Sequence, residues 1–269
     1  MDKPTDPLAQ RFGDALVEPN ERERRIRRVF DDVAPRYDLM NDLMSGGIHR
    51  LWKRRFVQLA APQPGQDIVD LAGGTGDVAA LMAGPDHQVT VIDPSEAMMA
   101  AGQRRGLAHV AWRVGTAEQL PLPDDSVDTL TIAFGIRNVT RLNDALVEIR
   151  RVLKPGGRFL CLEFSTPQRW LRPAYDLFSF AVIPRLGAWI ARSPGAYAYL
   201  VESIRRFPAQ HEFAACIEAA GFESVQWQNL SFGIACIHQA RRPLTCSTSI
   251  PTTVSGAENG PQGVPTHER

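Results

Sequence analysis

Between about residues 66 and 240 the chain alternates short, continuous apolar runs with stretches whose apolar positions recur every three or four residues. "QDIVDLAG" predicts a buried strand, "HVAWRVG" a short strand, and "QVTVID", "SVDTLTIAF" and "RFLCLEF" further strands. "DVAALMAG", "SEAMMAAGQRRG" and "LNDALVEIRRVL" predict the helices between them. Turn chemistry separates these elements at "PLPDDS" and "KPGG". The pattern closes with a helix, "AQHEFAACIEAAG", and two strands, "SVQWQNL" and "FGIACIHQA", close enough to form an antiparallel hairpin. Strands alternating with helices predict an α/β fold: a mostly parallel, seven-stranded sheet with helices on both faces and a closing antiparallel hairpin.

The ends break the pattern. Residues 1–21 read as a polar, Pro-containing arm, residues 22–242 as one domain, and residues 243–269 as a disordered tail of Ser, Thr, Pro and Gly with too few large apolar groups to offset its ordering entropy. Thirty Lys and Arg balance thirty Asp and Glu, so overall charge gives no reason to expect nucleic acid as a partner. Four scattered cysteines without C-x-x-C spacing fit a reducing, cytoplasmic setting, and the acidic start lacks the apolar core of a secretory signal. The longest greasy segment, "LFSFAVIPRLGAWIA", is broken by Pro184 and Arg185 and falls short of the roughly 20 residues that span a bilayer.

Candidate chemistry enters at "VDLAGGTGDVAALM", where a strand meets a glycine cluster and turns into a helix. In a doubly wound sheet, ligands bind at the carboxyl ends of the strands, so the backbone of Gly73, Gly74 and Gly76 is expected to lie against one. "GTGDVA" satisfies the loose dinucleotide pattern, which makes a nicotinamide-dependent oxidoreductase one reading. Charge separates the ligands. A pyrophosphate wants bare N–H groups without carboxylates, whereas Asp70 and Asp77 bracket this loop. S-adenosylmethionine carries no phosphate, and its ammonium suits Asp70. Thr75 supplies a loop hydroxyl, Asp93 at the end of "VTVID" is placed for a ribose diol, and Thr116 and Ala117, with Glu118 behind, are placed for an adenine edge. The plainer alternative is a tight turn with helix-capping aspartates, Asp77 above all.

Four stretches carry a resemblance: "VFDDVAPRYDLMNDLMSGGIHRLWKRRFV", "DLAGGTGD", "FGIRNVT" and "YLVESIRRFPAQ". Together they resemble the ubiquinone/menaquinone biosynthesis C-methyltransferases, a branch of the class I S-adenosylmethionine-dependent methyltransferases, from about Gly13 to Arg242. The resemblance implies a Rossmann-like methyltransferase fold and cofactor contacts at Thr75, Asp93, Thr116, Ala117 and Ala133. Some members have Asn at position 116 and Ser at position 133, so Ala133 is expected only to line the pocket. It further implies methylation of a ring carbon of a polyprenylated benzoquinol or naphthoquinol; another small-molecule O- or N-methyltransferase is the nearest alternative.

Such chemistry needs a positioned acceptor and a group that holds or takes the phenolic proton. Arg137 and Asn138, just past the fourth strand, are candidates for holding a developing phenolate. Tyr37, Asp38 and His49, from the segment before the first strand, are candidates at the lid, and Glu163 ends the fifth strand. No metal is expected, because the six histidines share no ligand spacing.

An insertion at 169–206 reads as a helical cover with six basic residues against two acidic ones and with Phe178, Phe180, Trp189, Tyr197 and Tyr199. It suggests peripheral contact with the inner face of a membrane or with a quinone-biosynthesis complex, through which a greasy substrate would arrive. "ERERRIRRVF" is read as an amphipathic helix and not a nucleic-acid patch, since its acids interleave with its bases and Ile26, Val29 and Phe30 mark one apolar face.

Overall fold

The computed structural model describes residues 11–12, 15–34, 41–42, 45–178 and 194–244. Two short strands, β1 (Arg11–Phe12) and β2 (Ala15–Leu16), pair as a hairpin before helix α1 (Pro19–Val33). Pro19 opens that helix, where its missing N–H costs nothing. The hairpin and the start of α1 thus fall within residues 1–21, the stretch whose sequence reads as a polar arm. Helix α2 (Ile48–Ala60) follows and buries Trp52, Phe56 and Ala60 along one face.

The sheet is built outward from β3 (Ile68–Leu71), whose four residues are all buried. It pairs in parallel with β4 (Val89–Asp93) on one side and with β6 (Val127–Ala133) on the other. β4 continues to the edge strand β5 (Val110–Val114), and β6 to β7 (Leu153–Phe164). Helices α3 (Asp77–Met82), α4 (Glu96–Gln103) and α5 (Leu142–Val152) are the crossovers. Helices α6 (Arg172–Leu177) and α7 (Pro194–Arg206) belong to the insertion, and α8 (Gln210–Ala219) leads to the antiparallel pair β8 (Glu223–Leu230) and β9 (Ala235–Arg241). The strand order is β5-β4-β3-β6-β7-β9-β8. The chain runs outward from β3 through β4 to β5 and then crosses back to β6 on the other side of β3, so the carboxyl end of β3 lies at the switch point where such sheets hold ligands.

Alternation along the strands makes two cores. Val69, Leu71, Phe159 and Cys161 face α5 and α8, packing with Leu146, Ile149, Phe213 and Ile217. Ile68, Leu160 and Leu162 face the other way, onto Trp52, Phe56, Val78 and Met82 of α2 and α3.

Two boundaries differ from expectation. "KPGG" does not end before its strand: β7 starts at Leu153, opposite Val127, and the register resumes at Arg158 opposite Thr129, so the turn is an excursion inside the ladder. The last strand begins at Ala235 and not at Phe232, because Ser231–Gly233 form a 3-10 turn with Phe232 in the left-handed region at φ 58°.

Candidate active site

A cleft opens at the carboxyl ends of β3, β4 and β6. Its floor is the glycine loop. A Cβ on Gly73 would lie 2.7 Å from Asp70 Oδ2, and one on Gly74 would lie 2.9 Å from Met98 Cε. Only a bare backbone fits between these side chains. Gly76, at φ 80°, turns the loop into α3.

Asp93 pins the loop from the next strand. Its Oδ2 accepts the Gly74 N–H at 2.9 Å and its Oδ1 accepts the Ser95 N–H at 2.8 Å. Burial outweighs these bonds and raises its carboxyl to about 6. Asp70, wholly enclosed, accepts a hydrogen bond from Thr131 Oγ1 at 2.9 Å through Oδ1, while Oδ2 has no partner. Burial pushes this carboxyl to about 7 against the opposing influence of Thr131 and the Lys53 cation.

Asp77 is not a cap. Its carboxylate accepts from Lys53 Nζ at 2.9 Å and from Arg105 Nη1 at 2.6 Å, and α3 has no side-chain cap. Burial alone would raise Asp77, but the two cations hold it below its usual range. The acid bracket read from the sequence is therefore half-neutralised by bases from distant segments, and only Asp70 keeps an unanswered oxygen.

Thr75, Thr116, Ala117, Ala133 and Asn138 all line the cleft, together with Asp70, Gly73, Gly74 and Asp93. Glu118 also lines it, but its Oε1 accepts the N–H groups of Thr140 and Arg141 and so ties the loop after β5 to the loop after β6.

Arg137 lies behind the lining, with 4% of its side chain exposed. It donates to Glu163 Oε1 at 2.8 Å and to the Phe134 carbonyl, with its guanidinium carbon 5.5 Å from the centre of the Phe164 ring. Its Nε has no partner. Glu163 is raised by burial in spite of Arg137, so these two candidates answer each other. Asn138 Oδ1 accepts the Tyr199 hydroxyl at 3.0 Å, which turns the amide nitrogen of Asn138 away from that contact. His49 is apart from the lining: buried at the start of α2, it shares a 2.7 Å hydrogen bond with Ser45 Oγ through Nδ1. Burial and the nearby Lys53 lower its pKa. Tyr37, Asp38, Phe180 and Trp189 lie outside the described residues, as does the side chain of Tyr197. Among the described residues no three His, Cys, Asp or Glu gather as a metal site would need.

Sequence reasoning missed the roof. α1 contributes Glu23, Ile26, Arg27 and Phe30, and α2 contributes Lys53. α1 is fastened at two points. Arg22, 2% exposed, donates to the carbonyls of Asn138 and Val139 and to Thr140 Oγ1 at 3.1–3.2 Å, and Asp31 accepts from Ser95 Oγ at 2.6 Å. The amphipathic period of "ERERRIRRVF" gave the helix and its apolar face, but not what that face covers.

Residues 19–242 match the sequence model of the ubiE/COQ5 methyltransferase family. The chain belongs to the ubiE/COQ5 methyltransferase family. It is 74% identical over 242 residues, 90% of its length and 96% of the relative's, to the ubiquinone/menaquinone biosynthesis C-methyltransferase UbiE of Rubrivivax gelatinosus. The corresponding protein of Caulobacter vibrioides is 52% identical over 241 residues, 85% of this chain and 96% of the relative. Solved structures agree on the fold. A methyltransferase from Thermotoga maritima, described as a possible histamine N-methyltransferase, superposes with a TM-score of 0.61 at 19% identity over 81% of this chain and 99% of its own. The [4+2]-cyclase SpnF does so at 0.60 and 18% identity over 83% of this chain and 97% of its own. At this identity such neighbours speak to the architecture alone, so the sequence relatives carry the activity.

The protein is thus an S-adenosylmethionine-dependent C-methyltransferase, and the cleft fits its methyl donor. The fit rests on Asp70 Oδ2, a buried acceptor without a partner where a cationic amino group is expected, and on the glycine backbone that a Cβ would obstruct. Thr75, Asp93, Thr116 and Ala117 are the residues that would hold the nucleoside, with Ala133 as wall.

Proposed function

We propose that the enzyme methylates a ring carbon of a polyprenylated quinol, a 2-polyprenyl-6-methoxy-1,4-benzoquinol or a demethylmenaquinol. The names of its relatives support quinone biosynthesis, and the observation that carries the reading here is the cleft's change of character. Acids and Lys53 surround the glycine loop, whereas Ile26, Phe30, Met98 and Val139 give an apolar wall beneath α1, interrupted by the Asn138 amide. An aromatic ring with one or two hydroxyls suits that wall.

S-adenosylmethionine, when bound, supplies an electrophilic methyl group. Carbon is a weak nucleophile until the ring is electron-rich, so the acceptor is the reduced quinol. The protein's part is positioning, worth on the order of 7–11 kcal/mol for well-aligned reactants, and stabilisation of charge on the phenolic oxygen. Asn138 is suited to donate to that oxygen, with its orientation fixed by Tyr199. Arg137, paired with Glu163 behind the lining and donating to the Phe134 carbonyl, anchors the turn that carries Asn138. α1 excludes water from above.

A polyprenyl tail has to come from a bilayer or a lipid-handling partner. No helix among the described residues is long and apolar enough to cross a membrane. Trp170 (64% exposed) and Phe232 (59% exposed) meet edge to face at 5.1 Å, with exposed Leu177 and Phe178 on the same segment as Trp170 and with Arg169 and Arg172 beside it. We assign to this surface a peripheral contact with the inner, cytoplasmic face of the membrane.

The test is product analysis after incubation with S-adenosylmethionine and each demethylated quinol, in reduced and oxidised form. Ring-methylated product from the reduced form alone is expected. Methylation on oxygen, or of neither quinol, would contradict the proposal.

A further inference from the structure

Lys53, the partner of Asp77, occupies an unusual place. It sits one helical turn past His49 on α2, is 8% exposed, and its side chain reaches the cleft beside Asp70, Gly73 and Asp77. Its Nζ carries three donors and makes one hydrogen bond, to Asp77 Oδ2 at 2.9 Å. Asp77 is at the same time neutralised from its other oxygen by Arg105 at 2.6 Å. Two cations therefore converge on a single carboxylate. A buried ammonium is costly unless it is fully paired, so a lysine held here with donors to spare is placed to receive an anion.

Next to it, Asp70 Oδ2 is the opposite case, a buried acceptor without a donor. A surplus cation and an unanswered carboxylate oxygen on one wall of one cleft form a receptor for a zwitterion with both charges on adjacent groups. That is the amino-acid end of the methyl donor.

We infer that Lys53 binds the α-carboxylate of S-adenosylmethionine, with Asp70 on its ammonium, and that this pair reads the amino-acid end. The inference rests on the donor assignment and extends it to a residue outside the glycine loop. Lys53 keeps Asp77 as a second partner when the donor is bound, so α2 is drawn toward the loop.

The alternative is that Lys53 merely neutralises Asp77, and ligand chemistry separates the two. Calorimetry would compare S-adenosylmethionine with its decarboxylated form, on the wild-type protein, Lys53→Met, Lys53→Gln and Lys53→Arg. A charge-assisted contact predicts that loss of the carboxylate weakens binding about 10- to 100-fold in the wild type. In Lys53→Met, S-adenosylmethionine should weaken by a similar factor while the decarboxylated donor binds as before, and Lys53→Arg should recover much of the discrimination. Equal weakening of both ligands in Lys53→Met would assign the lysine to structure and overturn the inference. Should Lys53→Met not fold, as shown by its thermal transition, Lys53→Gln gives the same comparison while retaining a donor for Asp77. Equal affinity of the wild type for the two ligands would overturn the inference without any variant. Binding of neither would remove the donor assignment itself, an outcome distinct from binding both alike.

Discussion

At the scale of single residues, the site stores its cost in buried carboxylates. Asp70 and Asp93 are raised by burial to about 7 and about 6. The folded protein therefore holds protons that the unfolded chain has released, and stability falls as pH rises from the ordinary Asp range toward 7. Asp70→Asn keeps an acceptor for Thr131 and removes the buried charge. At pH 8 it should stabilise the ligand-free protein by up to about 4 kcal/mol and flatten the pH dependence of its melting temperature. The same variant should weaken donor binding, because Asp70 must be ionised to meet an ammonium. A melting profile parallel to wild type across this range would contradict the assignment. Arg137 and Glu163 show the reverse balance. Each is buried and answered by the other, so Arg137→Ala leaves a buried acid without its cation and should cost about 3–5 kcal/mol by chemical denaturation, beyond any effect on turnover. A variant of wild-type stability would return Arg137 to the substrate side. The residues legible in the sequence were those fixed by position at strand ends: Asp70, Thr75, Asp93, Ala133 and Asn138 all reach the cleft. Lys53 was not legible, since in "HRLWKRRF" nothing marks which base of a basic run turns inward. His49 drew attention for its chemistry, but its ring lies outside the cleft lining, with Nδ1 on Ser45 and Nε2 3.7 Å from Asp42.

At the scale of elements, the seven strands and their order of alternation followed from apolar runs and turn chemistry, because the central strands are buried by helices that the same period announces, while the edge strands β5 and β8 stay partly exposed. Failures came where local chemistry and the ladder disagree. "KPGG" is a turn by composition, yet strand pairing closes on both sides of it. α1 was legible as an amphipathic helix but not as a roof, because its partners lie more than a hundred residues away. Arg22 is the strongest of its fastenings, with a guanidinium shared among Asn138, Val139 and Thr140. Arg22→Ala should destabilise the protein by about 1.5–3 kcal/mol, the range for charged hydrogen bonds, and raise KM for the acceptor by loosening Asn138; Arg22→Lys should restore part of each. Steady-state kinetics with unchanged KM in Arg22→Ala would show that α1 is held elsewhere.

At the scale of the whole molecule, the fold alone does not choose a reaction, as similarity to both a methyltransferase and a cyclase shows. The choice comes from family membership across residues 19–242 and from a cleft whose charge suits a sulfonium donor. The exposed Trp170–Phe232 pair and its neighbouring arginines predict salt-sensitive flotation with anionic liposomes, reduced in a Trp170→Ala, Phe232→Ala variant; flotation unaffected by both substitutions would move the contact elsewhere. Most direct is calorimetric titration of the wild-type protein with S-adenosylhomocysteine and, separately, with NADH. Saturable binding of the first at one site per chain, with none of the second, is the predicted result. Binding of the dinucleotide, or silence from the adenosyl ligand with folded protein, would contradict it.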